Sequence, residues 1–148
     1  MAAIIEKFDK NRHDIGQVKA LLALAVGRPT VEKLTYLIDQ FYASGGREIF
    51  VALKNKNVTG LIGIEHNGGS YGFITHLVVH PDMRKKGIAS RLIKHVTSAL
   101  GLAEIESETD QEAVEFYTAC GFKASEINSP YAGIRRFRCM KSVKIEVL

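Results

Sequence analysis

Apolar residues follow two spacings along the chain, an alternation typical of strands and a longer period typical of amphipathic helices. The alternation predicts an opening strand near Ala3–Phe8, and the longer period predicts a helix from about Asp14 to Val26. Asp14 and Thr30 suit N-cap positions, since their side-chain oxygens accept a hydrogen bond from an unpaired N–H of the first turn. A second helix is therefore expected from Thr30 to about Phe41.

Three further strands are predicted near Glu48–Leu53, Val58–Glu65 and Tyr71–Val79. The short connections between them are rich in Asn and Gly, which favour tight turns, so these strands are expected to form an antiparallel meander. The spacing changes to the helical period between Ile88 and Leu100. A helix that follows a strand implies a crossover onto the same sheet.

The last part of the chain predicts a strand near Leu102–Ser107, a helix at about Asp110–Cys120 and closing strands near Phe122–Ile127 and Arg135–Val143. Together the elements predict an α/β fold with a mixed, mostly antiparallel central sheet of about six to seven strands and about four flanking helices. With 148 residues and 46% apolar content, the chain is sized for one core, so residues 1–148 are expected to form a single domain.

The composition argues against several classes of protein. No apolar run is long enough for a membrane span or a signal peptide, so a cytoplasmic location and no membrane partner are expected. Cys120 and Cys139 are expected to be reduced thiols, because nothing in the sequence indicates secretion. The five histidines are scattered and distant in sequence from both thiols, so no metal cofactor is expected.

Charged residues are segregated along the chain, although the net charge is only +4. Residues 82–94 carry five bases and one acid, whereas residues 104–126 carry seven acids and one base. Residues 135–148 again carry a charge of +4. A basic segment beside a separate acidic one suggests an anionic ligand at one place and a cationic ligand at another.

The first basic segment lies where a predicted strand gives way to a helix. It reads Val79-His80-Pro81-Asp82-Met83-Arg84-Lys85-Lys86-Gly87-Ile88-Ala89-Ser90. A helix start offers unpaired N–H groups and the positive end of the helix dipole, and Gly87 removes a side chain where a ligand must approach. The segment therefore predicts a phosphate site, with a spacing that differs from the P-loop and from the dinucleotide-binding motif.

This segment resembles the signature of the GCN5-related N-acetyltransferase (GNAT) family, which is Q/R-x-x-G-x-G/A followed by a helix. Arg84, Gly87 and Ala89 fill its three defined positions. A second family feature follows downstream, where Ala113-Val114-Glu115-Phe116-Tyr117 precedes Gly121-Phe122. The resemblance extends to the order of the predicted elements over nearly the whole chain.

The resemblance implies an N-acetyltransferase whose sheet splays open between two central parallel strands, with the pantetheine arm of acetyl-CoA in the gap. Acetyl-CoA is then the cosubstrate, and a small amine or a peptide amine is the acceptor. The family pattern implies cofactor-binding residues on the strand, the loop and the later helix: Leu77, Val78, Val79, Arg84, Lys85, Lys86, Gly87, Ile88, Ala89, Ser90, Asp110, Phe116 and Tyr117.

Aminolysis of a thioester needs an uncharged amine, a donor for the oxyanion and a proton for the departing thiolate. Tyr117 matches the family position whose phenol faces the CoA sulfur, so the resemblance implies that it is the general acid. The backbone N–H of Leu77 is the oxyanion donor that the resemblance implies.

The proton acceptor for the amine is left open by the sequence. Phe73 or a neighbour occupies the strand position where some family members carry a glutamate. An alkylamine with a pKa of about 10 has a small neutral fraction at pH 7, so a dedicated base is not strictly required. The candidate bases are His76, Glu65, Glu106 and Asp110. Asp110 is equally suited to capping the helix that follows it.

Two other classes of function compete with the transferase. A noncatalytic acyl-CoA-binding module would keep the loop at Arg84–Ser90 but lack a productive acceptor site, and Tyr117 argues against it. The basic tail suggests nucleic-acid binding, but its bases alternate with Phe137 and Cys139, as expected for a strand with one solvated face. Nucleic-acid binding is therefore not favoured, and edge strands near the C terminus allow a homodimer.

Overall fold

The computed structural model describes residues 3–143, so Lys144 of the basic tail lies outside the described range. Seven strands form one sheet in the order β1-β2-β3-β4-β5-β7-β6. β4 and β5 are parallel, and the other neighbouring strands are antiparallel, which confirms the predicted mixed sheet. The strands are β1 (Ile4–Lys7), β2 (Arg47–Lys54), β3 (Asn57–Glu65), β4 (Tyr71–Val79), β5 (Glu104–Asp110), β6 (Lys123–Ile127) and β7 (Arg136–Ser142).

In the described residues, four α-helices flank the sheet: α1 (Ile15–Ala25), α2 (Val31–Tyr36), α3 (Ile88–Ala99) and α4 (Val114–Ala119). A π-helical turn, Leu37–Phe41, extends α2, and a 3-10 turn, Pro81–Met83, follows β4. The predicted caps are present, since the Asp14 carboxylate accepts from Gln17 N–H at 3.0 Å and the Thr30 hydroxyl accepts from Lys33 N–H at 3.1 Å. Within residues 3–143, no helix is long and apolar enough to cross a membrane.

The sheet carries a hydrophobic core on each of its two faces. On the α3–α4 face, the helices pack on a cluster that includes Ile62, Ile64 and Ile105, and on the α1–α2 face they cover Val51 and Leu61. Successive residues of a strand point to opposite faces. β4 follows this rule near its end, because Leu77 and Val79 pack against the α3–α4 cluster, whereas Val78 belongs to the α1–α2 cluster.

The segment after α3 differs from its predicted boundaries. The strand expected near Leu102–Ser107 begins and ends later, at Glu104–Asp110, and the helix expected from about Asp110 begins at Val114. The cause is the Asp110 carboxylate, which accepts hydrogen bonds from the N–H groups of Glu112 (2.9 Å) and Ala113 (3.2 Å). An Asp side chain that bonds the following backbone in this way favours a turn over a helix.

β4 departs from regular pairing at two places. Its register with β3 shifts between the pairs Gly63↔His76 and Ile64↔Ile74, which leaves Thr75 as an unpaired bulge residue. Its pairing with β5 is confined to Tyr71–Phe73 against Glu104–Glu106. The two parallel strands therefore separate beyond Phe73, which opens the gap that the resemblance implied.

Candidate active site

A cleft of about 410 Å³ lies on the α3–α4 face, where β4 ends and α3 begins. It is lined by Leu77, Val79, Met83, Arg84, Lys85, Gly87, Ile88, Ala89, Ser90, Phe116 and Tyr117. All of these except Met83 were predicted as cofactor-binding residues. Of the other predicted residues, Val78 packs its side chain on the opposite face, and Lys86 and Asp110 do not line the cleft.

The loop at one end of the cleft has an unusual backbone. Lys85 and Gly87 both adopt positive φ angles, 64° and 80°, and Gly87 is the N-cap of α3. A Cβ built on Gly87 would meet no atom within 4 Å, so internal packing does not demand a glycine there. The reasons that remain are the left-handed backbone and the open space in front of the helix, which lets a ligand approach.

The same loop concentrates hydrogen-bond donors and positive charge. In the described part of the chain, none of the backbone N–H groups from Arg84 to Ser90 donates to another backbone group. Such free donors at a helix start, together with the helix dipole, attract an anion. The side chains of Arg84, Lys85 and Lys86 are exposed, and Arg84 Nε donates to the Val79 carbonyl at 3.2 Å, which ties the loop to the end of β4.

Tyr117 forms the opposite wall of the cleft and is only 6% exposed. Its ring is held edge-on between those of Phe116 and Phe122, each with a centroid distance of 5.2 Å. Burial raises the pKa of Tyr117 above its ordinary value, and interaction with the Ser107 side chain offsets part of that rise. The phenol is therefore protonated at neutral pH and is able to donate a proton.

On the α1–α2 face, a polar cluster forms around the β4 bulge and consists of Tyr42, Thr75 and His76. The Tyr42 hydroxyl lies 2.5 Å from Thr75 Oγ1 and 2.5 Å from His76 Nδ1. Tyr42 directly follows the π-helical turn, and its N–H donates to the Leu37 carbonyl, which fixes the end of that turn.

Sequence reasoning proposed His76 but did not propose Tyr42 as a site residue. A signal was present in β3, where Gly63 interrupts an apolar strand. A glycine inside a strand often marks a close approach of another group. A Cβ on Gly63 would stand 1.8 Å from the Tyr42 hydroxyl, so this glycine makes room for the cluster.

The His76 imidazole is half-buried and neutral, and one of its two ring nitrogens is hydrogen-bonded. Burial lowers its pKa below the ordinary value, and the nearby charge of Lys33 lowers it further. Within residues 3–143, Tyr42 is the hydrogen-bond partner found for the ring, at Nδ1. No buried side-chain nitrogen or oxygen in that range lacks a partner, so the unbonded Nε2 is accessible to solvent.

A larger cleft of about 680 Å³ lies on the α1–α2 face, between the segment after α2 and the β3–β4 turn. Its lining includes Tyr71 and Phe73 of β4. Glu65 also lines it, but its carboxylate accepts a hydrogen bond from Arg47 Nε at 2.7 Å. Volume alone does not locate the chemistry, and the smaller cleft holds most residues of the loop that the sequence predicts to bind phosphate.

The two remaining base candidates are engaged elsewhere. The Asp110 carboxylate caps the turn before α4, as described above. The Glu106 carboxylate lies 3.9 Å from the Arg138 guanidinium. Burial raises the pKa of Tyr71 to about 12, and the nearby Glu106 carboxylate contributes to that rise. Cys120 and Cys139 are both free thiols.

The site combines a basic loop at a helix start with a gap between two parallel central strands. The family described as "Acetyltransferase (GNAT) domain" matches residues 45–124, which is more than half of the chain, and the chain belongs to this family. A curated relative, the UPF0157 protein YqkA of Bacillus subtilis, is 32% identical over 101 residues. That match covers 64% of this chain but only 29% of the relative.

Solved structures of acetyltransferases share the fold over nearly the whole chain. An aminoglycoside 6'-N-acetyltransferase complexed with coenzyme A superposes with a TM-score of 0.82 at 19% identity, covering 97% of this chain and 99% of that one. The ribosomal-protein-S18-alanine N-acetyltransferase of Escherichia coli gives 0.76 at 16% identity, with 98% and 96% covered. A GNAT family acetyltransferase of Elizabethkingia anophelis with acetyl-CoA bound gives 0.70 at 18%, with 96% and 99% covered.

Proposed function

We propose that this chain is an N-acetyltransferase that moves the acetyl group of acetyl-CoA to a primary amine by direct attack in a ternary complex. The observation that carries the proposal is the cleft on the α3–α4 face, which joins the end of β4, the Gly87 loop and Tyr117. Family membership supports the same activity, as do the acetyltransferases of the same fold that were solved with coenzyme A or acetyl-CoA.

The cofactor groups are assigned by their chemistry. The pyrophosphate is a diffuse anion, which suits the free N–H groups and the positive charge between Arg84 and Ser90. The pantetheine arm carries amides, which suit the backbone of Leu77–Val79 where β4 has left β5. The rings of Phe116 and Tyr117 close the side of this channel.

Tyr117 is the proposed general acid. When the amine nitrogen bonds to the thioester carbon and the C–S bond breaks, the thiolate needs a proton. The raised pKa keeps Tyr117 protonated until that moment, and its burial keeps water away from the reacting atoms. His76, on the opposite side of β4, is the proposed acceptor of the first amine proton, because the carboxylates of Glu65 and Asp110 are committed to other groups.

A calorimetric titration with acetyl-CoA, followed by a panel of primary amines assayed for free CoA, tests this proposal. We expect micromolar binding and amine-dependent release of CoA. Binding without release by any amine would favour the noncatalytic acyl-CoA-binding module, and the absence of binding would contradict the proposed function.

A further inference from the structure

The hydrogen bonds within the cluster of Tyr42, Thr75 and His76 can be arranged in two ways, which differ in which group donates. A tyrosine hydroxyl has one hydrogen and two lone pairs, so Tyr42 donates to only one of its two close neighbours at a time. If it donates to His76 Nδ1, the neutral imidazole carries its hydrogen on Nε2, and Nε2 accepts nothing. If it donates to Thr75 Oγ1, Nδ1–H donates to Tyr42, and Nε2 offers a lone pair.

We propose that Tyr42 and Thr75 are positioning residues that let His76 adopt the tautomer in which Nε2 accepts the proton of the acceptor ammonium. The inference rests on the proposed function and deepens it. An alkylammonium is a donor without acceptor capacity. Its arrival at Nε2 therefore selects the arrangement in which Tyr42 donates to Thr75.

The position of His76 fits this role. It follows Phe73, the last β4 residue paired with β5, by three residues, so it lies where the two strands have separated. The bulge leaves Thr75 unpaired, and this allows neighbouring residues of the strand to reach the same hydroxyl. The ring of Phe41 meets His76 edge-on, with a centroid distance of 6.4 Å.

Burial, and to a smaller extent nearby charge, disfavours the protonated imidazole in the free protein. Lys33 of α2 disfavours the imidazolium, and the ion pair of Arg47 and Glu65 lies near Tyr42. Burial raises the pKa of Tyr42 well above its ordinary value, so its hydroxyl stays protonated in either arrangement. The tyrosine acts only by reorienting its hydrogen.

The proton and bond changes balance. One N–H bond of the ammonium breaks, and an H–Nε2 bond forms, which gives imidazolium and a neutral amine. The amine nitrogen bonds to the thioester carbon, the C–S bond breaks, and the thiolate takes the proton of Tyr117. A second proton from the nitrogen restores Tyr117, and imidazolium releases its proton to water. The sum is ammonium and acetyl-CoA to amide, CoA thiol and one proton.

The first test is an NMR measurement of the His76 tautomer in protein labelled with 15N-histidine, without cofactor. The Nδ1–H tautomer is expected to be populated in the wild type and to rise when n-butylammonium is added. Thr75→Val keeps the shape but removes the oxygen, so the Nδ1–H tautomer is expected to be lost, and Thr75→Ser is expected to restore it. Tyr42→Phe removes the hydroxyl that accepts from Nδ1–H and is expected to lose the same tautomer, with Tyr36→Phe, at the exposed last residue of α2, as its control.

The second test is the pH profile of kcat/KM for acetylation of n-butylamine. The wild type is expected to be level between the lowered pKa of His76 and the amine pKa of about 10, because the imidazole accepts the ammonium proton over that range. In His76→Gln the rate is expected to follow the neutral amine and to rise about tenfold per pH unit up to about pH 9.

Each outcome decides the inference. A tautomer that is the same in Thr75→Val and wild type, or that does not respond to n-butylammonium, overturns it. A pH profile of kcat/KM for His76→Gln that has the wild-type shape also overturns the inference. A protein that binds no acetyl-CoA contradicts the proposed function and the base role with it, whereas the tautomer measurement needs no cofactor and reports on the Tyr42–Thr75 pair alone.

Discussion

The two sides of β4 are built in different ways. On the α3–α4 face, the cleft draws most of its lining from a continuous stretch, Leu77–Ser90, and adds a pair of aromatic rings from α4. On the α1–α2 face, the Tyr42–Thr75–His76 cluster combines the end of a π-helical turn with a strand bulge 33 residues later in sequence. The first is a local arrangement of backbone and charge, and the second exists only through tertiary packing.

This difference suits two ligands of different kinds. A pyrophosphate and a pantetheine arm are the same in every acetyl-CoA, so backbone N–H groups and a glycine suffice to bind them. An acceptor amine differs from enzyme to enzyme, and side chains from separate elements must recognise it. Substitutions on each face are therefore expected to have separable effects.

Tyr117→Phe is expected to lower turnover by about 10²- to 10⁴-fold, because it removes the proton for the thiolate. The affinity for acetyl-CoA is expected to stay within about threefold of wild type, since the ring and its packing against Phe116 remain. Steady-state kinetics and calorimetry measure the two effects. Unchanged turnover would remove Tyr117 from the mechanism.

Gly87→Glu is expected to weaken acetyl-CoA binding by about 100-fold or more, which corresponds to about 2.7 kcal/mol. A carboxylate at the helix start repels the pyrophosphate and fills the open space in front of it. Gly87→Ala is the matched control, because it imposes the same strain at φ +80° with little bulk and no charge. Equal losses in the two variants would mean that backbone strain, and not the ligand, explains the effect.

Gly63→Ala is expected to act on the other face. Its Cβ would displace the Tyr42 hydroxyl and destabilise the fold by about 1–3 kcal/mol, as overpacking does, while leaving acetyl-CoA affinity intact. Urea unfolding measures the loss, with Gly27→Ala as a control at a site with free space for a Cβ. A parallel loss of cofactor affinity would show that the two faces are not independent.

Asp110→Asn is expected to have the smallest effect. The Asn oxygen still accepts from the N–H groups of Glu112 and Ala113, so the turn before α4 is preserved. Asp110→Ala is expected to cost about 1 kcal/mol of stability. A large fall in turnover for Asp110→Asn at unchanged stability would give the carboxylate a catalytic role after all.

Features formed by residues that are adjacent in sequence could be predicted from the sequence, whereas those that depend on tertiary packing could not. The segment from Val79 to Ser90 could be identified from the sequence, because a strand, a basic loop, a glycine and a helix follow one another directly. The end of β5 was placed too early, because a charged strand edge such as Glu108 paired with Arg138 of β7 has no apolar alternation to identify it. Tyr42 was missed because its contacts with Thr75 and His76 depend on a bulge that no spacing rule encodes.

The central claim is that acetyl-CoA binds on the α3–α4 face between the end of β4 and the start of α3. Amide NMR spectra of 15N-labelled protein during an acetyl-CoA titration test it most directly. The largest shifts are expected on the N–H groups of Arg84–Ser90 and Leu77–Val79, with Gly63 and Tyr42 little changed. Shifts centred instead on the cleft lined by Arg47, Glu65 and Phe73, or no shifts at all, would contradict it.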